Sequence, residues 1–215
     1  MTSLTLIPND YAITSLITLI LGSFFIANHV YDRWLRQFNF KLIDVNLLTK
    51  FFITLFGSTI VSWKPLFSAS LEIQLAGAFI GILMGYACLT IESNLIAMLQ
   101  KIPPHSAPAR AKEPSSYFSI IAVGSLEEIL YRGFLTVLCL NQLSPGASGL
   151  ALIGFTFLFA LSHLNLGNIH VLTKLILGTV CLISFLITKT LITPIFIHAS
   201  FNAFVINRYR KLAYA

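Results

Sequence analysis

The chain has 215 residues, 56% of them hydrophobic and 10% charged, with 18 phenylalanines and a net charge of +6. Soluble domains carry roughly 25% charged residues, so composition argues against a soluble helical protein. A mean hydropathy of +0.83 argues for one all-α integral membrane domain over residues 1–215. The basic residues lie between apolar runs instead of forming a patch, which gives no support to a nucleic-acid partner and makes the lipid bilayer the expected surroundings.

A spanning helix needs roughly 20 mostly apolar residues. In chain order, such runs fall at about 11–30, 45–63, 72–99, 117–140, 147–163, 171–187 and 190–207, predicting a polytopic bundle of about seven spans. The first follows "MTSLTLIPNDY", which lacks a basic leader region, so it reads as a span and not as a cleavable signal. In the third, Gly77, Gly81 and Gly85 repeat at spacing four and predict close helix packing. The segment "KIPPHSAPARAKEPSS" (101–116) holds four prolines and reads as an irregular loop. It separates a front part, 1–100, from a back part, 117–207, that holds most of the polar residues within apolar runs. Cys88, Cys139 and Cys181 are scattered singly, a pattern of small buried hydrophobes without a disulfide framework. No internal repeat is evident.

The basic residues orient this bundle. With the N-terminus outside, Arg33, Arg36, Lys41, Lys50, Lys101, Arg110, Lys112, Lys174, Arg208, Arg210 and Lys211 fall at the cytoplasmic face. Only Lys64 and Lys189 fall outside, and Arg132 lies within a span. The positive-inside rule then places the C-terminus in the cytoplasm. Trp34 and Trp63 read as interfacial anchors, and His29, His105 and His170 as solvated.

The fourth run contains "VGSLEEILYRGFL" (123–135), with Glu127, Glu128 and Arg132 among apolar residues. An ionisable group at the centre of a span costs about 2.5 to 3.5 kcal/mol on insertion scales. Glu128 and Arg132 are four apart and share a helix face, whereas Glu127 points about 100° away. One arginine cannot neutralise two carboxylates, so one glutamate needs a proton, a further partner or a metal. A structural ion pair between helices is the alternative. "FLFALSHLNLG" adds His163, which by itself reads equally as an interfacial histidine. "TPIFIHASFNAFV" adds His198 and Asn202, four apart, which alone read as interhelical hydrogen-bonding residues. Glu127 lies about 15 Å from the cytoplasmic start of its helix, and His198 and Asn202 roughly 12 to 18 Å from the outer end of theirs. All can meet in the inner half of the bilayer, supplying the parts of a hydrolytic site.

In this order, E-E-x-x-x-R (Glu127, Glu128, Arg132), F-x-x-x-H (Phe159, His163) and H-x-x-x-N (His198, Asn202) resemble the motifs of the CAAX protease and bacteriocin-processing family, also called CPBP or Abi. The similarity covers about residues 117–207; the first three spans carry no matching motif. It implies an intramembrane endopeptidase that hydrolyses a peptide bond of a membrane-associated protein or peptide, in a cavity reached from the cytoplasm. Carried over residue by residue, Glu127 is the general base and His163 its partner in activating water. His198 and Asn202 stabilise the oxyanion, and Glu128 with Arg132 supports the site. Family members cut prenylated C-terminal tails, leader peptides or sorting tails. The small size suggests the inner membrane of a bacterium.

No cofactor is expected. A zinc ion on Glu127, His163 and His198 is the alternative, but there is no H-E-x-x-H and Asn202 is a better oxyanion donor than metal ligand. Two other functions use the same residues. One is a proton-coupled transporter, with the carboxylates and histidines as a relay, although the paired broken helices of such carriers are missing. The other is a catalytically silent scaffold or immunity factor.

Overall fold

The computed structural model describes residues 10–32, 41–61, 69–101 and 117–213. Arg33, Trp34, Arg36, Trp63 and Lys64 lie outside the described residues, as does 102–116 with His105, Arg110 and Lys112. The described residues are all-helical. Each of the seven apolar runs folds as a helix: α1 (Asp10–Val30), α2 (Leu42–Ser58), α3 (Leu71–Gln100), α4, α5 (Pro145–Leu161), α6 (Asn168–Thr188) and α7 (Ile192–Ala213). Helix α4 runs in three continuous pieces, α-helical over Tyr117–Glu128, π-helical over Ile129–Leu135 and α-helical again over Thr136–Gln142.

Local chemistry sets the ends. Ser70 caps α3 by accepting from the Ile73 amide, and Pro145 opens α5, where its missing N–H costs nothing. Gly167, at φ 111°, turns the chain into α6, a conformation that favours glycine. Helices α3 and α6 are long and apolar enough to cross a membrane by length and composition.

The glycine stripe of α3 packs helices, as its spacing predicts. A side chain at Gly81 would stand 2.8 Å from both the Thr193 carbonyl and the Phe196 Cβ, and one at Gly85 would meet Ser200 and the Ile197 backbone. Helices α3 and α7 are therefore in backbone-close contact. On the other side, Phe134 and Phe159 form a core with Leu16, Ile20, Ile53 and Leu191; Gly57 makes room for the Phe134 ring. Outward faces are apolar: Phe52, Phe79, Leu83, Leu150, Ile153 and Ile187 are all exposed. The buried set, by contrast, includes Lys50, Glu92, Glu127, Glu128, Arg132, Lys174 and His198. Charge inside and hydrocarbon outside is the pattern of a lipid-facing bundle. All three cysteines are buried and free.

Candidate active site

The last α-helical turn of the first piece of α4 delivers Glu127 and Glu128 into the bundle, and the π segment that follows carries Arg132. A π turn is wider than an α turn and recurs at functional sites. Here the Thr136 amide reaches back to the Tyr131 carbonyl, and the same carbonyl accepts from the Thr136 hydroxyl at 2.9 Å.

Glu128 is the fully enclosed carboxylate. Its Oε1 lies 2.7 Å from His198 Nδ1 and accepts from Arg132 Nη1 at 3.4 Å. Its Oε2 lies 3.2 Å from Arg132 Nε, a charge contact outside hydrogen-bond geometry. Arg132 Nη2 donates to the Gly178 carbonyl at 2.6 Å, and the guanidinium stands 4.9 Å from the centre of the Phe159 ring. Gly178 permits this approach, since a Cβ there would sit 3.2 Å from Arg132 Nη2 and 3.0 Å from Phe159. The pair expected between Glu128 and Arg132 is present, tied to α6 as well as within α4.

Glu127 points elsewhere, as the 100° step requires. Its Oε1 is 3.3 Å from Lys50 Nζ on α2, and its Oε2 is 3.7 Å from His198 Nε2, beyond hydrogen-bond range. The two side chains differ in access: Glu127 is 8% exposed and Glu128 0%. Of the pair, only Glu127 can touch a water. The imidazole of His198 thus lies between the two carboxylates, bonded to one and facing the other.

Phe159 joins the remaining motif. Its ring meets His198 edge-on at 5.8 Å and His163 at 5.1 Å. His163 Nδ1 lies 3.0 Å from the Phe159 carbonyl and 3.2 Å from Ser162 Oγ. Among the described residues no hydrogen bond joins His163 to the Glu127 carboxylate. Asn202, one turn beyond His198, donates from Nδ2 to the Ile120 carbonyl at 3.3 Å and packs over Gly124, beside the His198 ring. The structure therefore brings Glu127, Glu128, Arg132 and His198 into contact, with His163 and Asn202 at the edges.

Two lysines expected at the cytoplasmic face are buried against other helices. Lys50 and Lys174 are 4% and 7% exposed; one pairs with Glu127, and the other sets its ammonium 4.2 Å from the centre of the Phe201 ring. The unbalanced carboxylate was the available signal, since it demands a cation inside an apolar run. His170, expected to be solvated, is instead 3.5 Å from Glu92. Among the described residues no three His, Cys, Asp or Glu side chains form a group able to hold a metal ion, and the Lys50 ammonium faces one of the two Glu127 oxygens.

No curated protein and no solved structure matches the chain. Residues 114–204 match the family model described as type II CAAX prenyl endopeptidase Rce1-like. That stretch holds all seven motif side chains and excludes α1 to α3. The motif-bearing part of this chain, with its paired carboxylates and the histidine between them, is thus similar to the Rce1-like family.

Proposed function

We propose that the protein is an intramembrane endopeptidase that hydrolyses a peptide bond of a membrane-associated protein or peptide with a water activated by Glu127. The observation that carries this reading is the buried chain Arg132–Glu128–His198–Glu127. In it, one carboxylate is fully enclosed between Arg132 and His198, while the other is slightly accessible and has an oxygen that accepts no hydrogen bond among the described residues. The whole chain forms one integral membrane domain of seven spans, with the N-terminus outside and the C-terminus in the cytoplasm of a bacterial cell.

Each residue then has a task. Oε2 of Glu127 takes a proton from water as the oxygen bonds to the scissile carbonyl carbon, and His163 assists on the Glu127 side. The carbonyl oxygen becomes an oxyanion, stabilised by His198 through Nε2 and by the Asn202 amide. Collapse re-forms the carbonyl and breaks the C–N bond, and the proton held by Glu127 passes to the leaving amine. Glu128 accepts from His198 Nδ1 and so fixes which ring nitrogen faces the reaction; Arg132 holds Glu128.

An internally quenched prenylated peptide ending in a CAAX sequence, presented to the full chain in liposomes, tests this function. Cleavage is expected, and it is expected to survive prolonged strong chelation. No cleavage of this peptide or of a panel of membrane-anchored peptides would overturn the protease function. Activity lost to chelation and restored by zinc alone would overturn the glutamate mechanism.

A further inference from the structure

The direct charge partner of Glu127 comes from outside the matched segment. Lys50 stands eight residues into α2, about 12 Å along it. It is buried, and its Nζ lies 3.3 Å from Glu127 Oε1. Asn46, one turn earlier, accepts from the same Nζ at 3.1 Å and so aims it. Glu128 has its own cation in Arg132, which is also committed to the Gly178 carbonyl and cannot serve both carboxylates. Lys174 sits over the Phe201 ring and makes no ion pair with Glu127 among the described residues. Among the described residues, Lys50 is the lysine or arginine within ion-pair distance of Glu127.

A carboxylate in an apolar interior without a cation takes up a proton, and a protonated glutamate cannot accept another from water. The contact is also directional. An ammonium on Oε1 leaves Oε2 as the oxygen that faces His198 Nε2 across 3.7 Å.

We propose that Lys50 is a positioning residue for Glu127, its ammonium keeping the buried carboxylate ionised and holding Oε1 so that Oε2 is presented to the reacting water. This rests on the assignment of Glu127 as the base. It assigns a task to α2, a helix on which no family motif lies.

The test uses the full chain in liposomes with Lys50→Met, Lys50→Arg, Asn46→Ala and the double variant Lys50→Met/Glu127→Gln. Two signals are read: cleavage of the prenylated peptide, and the infrared carbonyl stretch of a protonated carboxyl group at neutral pH. Lys50→Met is expected to lower kcat by about a hundredfold or more, the scale of a lost general base, with KM nearly unchanged. Lys50→Arg, which keeps the charge, should retain about a tenth of wild-type kcat or more. A protonated-carboxyl band should appear in Lys50→Met, vanish in the double variant and be missing from wild type and Lys50→Arg. Wild-type kcat in Lys50→Met, or no band dependent on Glu127, overturns the proposal. If Lys50→Met does not fold, Asn46→Ala decides. A several-fold fall in kcat at unchanged melting temperature supports the assignment, and unchanged kcat overturns it. Should wild type cleave no peptide, the protease function fails, while the infrared signal still decides whether Lys50 holds Glu127 ionised.

Discussion

Two carboxylates are buried to nearly the same degree in this bundle, Glu127 at 6% and Glu92 at 7% exposure, and they are held in opposite ways. Glu92, on α3, receives the Thr173 hydroxyl at 2.9 Å and faces His170 at 3.5 Å. Both partners come from the start of α6, so the cluster ties one helix to another. Glu127 meets Lys50 from α2 and His198 from α7, receives no neutral donor among the described residues, and adjoins a second carboxylate. Burial alone therefore does not mark a reacting carboxylate. The structural one accepts a hydrogen bond from a neutral donor, Thr173; the one assigned to react has its charge balanced by an ammonium and accepts from no neutral donor among the described residues.

The largest expected effect breaks or upholds this contrast directly. Glu127→Gln keeps shape and removes proton-accepting capacity, so kcat should fall by about a thousandfold, within the range for a lost general base, while the protein still inserts and folds. Glu92→Gln should leave kcat within a few-fold of wild type and lower thermal stability, because it disturbs the Thr173 and His170 contacts. Cleavage rates and melting curves of the two purified variants settle the matter. If Glu92→Gln is the inactive one, the two sites have been assigned the wrong way round.

Glu128 gives the next effect, and it should appear as stability. Its side chain is fully enclosed between Arg132 and His198, so Glu128→Gln leaves a buried guanidinium without its charge partner. Removal of one member of a buried pair costs about 3 to 5 kcal/mol. Melting of the detergent-extracted variant should fall well below that of wild type, with activity lost as well. A Glu128→Gln protein that melts with wild type would mean that Arg132 is held by Gly178 and Phe159 alone.

Much of this arrangement is visible in the sequence, and the reasons are physical. Apolar runs of span length gave the seven helices to within a few residues, since hydrophobic continuity is what a helix in lipid requires. Spacings of four put Glu128 with Arg132 and His198 with Asn202 on shared faces, and the structure keeps both arrangements. The burial of Lys50 and Lys174 is not legible in the sequence, because it depends on partners from other helices, Glu127 and Phe201. His170 was read as solvated because its partner, Glu92, is 78 residues away on another helix. The π segment, the close approach at Gly178 and the seat of Asn202 on Gly124 depend on which helices become neighbours, which local pattern does not encode.

That last contact supplies the smallest and most selective test. A Cβ at Gly124 would stand 2.6 Å from Asn202 Nδ2 and 3.2 Å from His198 Cδ2. The imidazole cannot give way easily, because Glu128 holds Nδ1 and Phe159 backs the ring. The Asn202 amide is the end of a flexible side chain, so Gly124→Ala should displace it and break its bond to the Ile120 carbonyl, costing about 1 kcal/mol of stability. If Asn202 donates to the oxyanion, kcat should fall roughly tenfold to a hundredfold, at or below the range for a lost oxyanion donor. Gly81→Ala is the structural counterpart: its new Cβ would meet the Thr193 carbonyl oxygen at 2.8 Å and the Ile197 amide nitrogen at 3.1 Å. Backbone cannot swing aside, so that variant should lose stability more than kcat. Combining Gly124→Ala with Asn202→Ala should cost no more activity than Asn202→Ala alone, since both act through the same amide. Full activity in Gly124→Ala would remove Asn202 from the reacting side and leave His198 as the donor there.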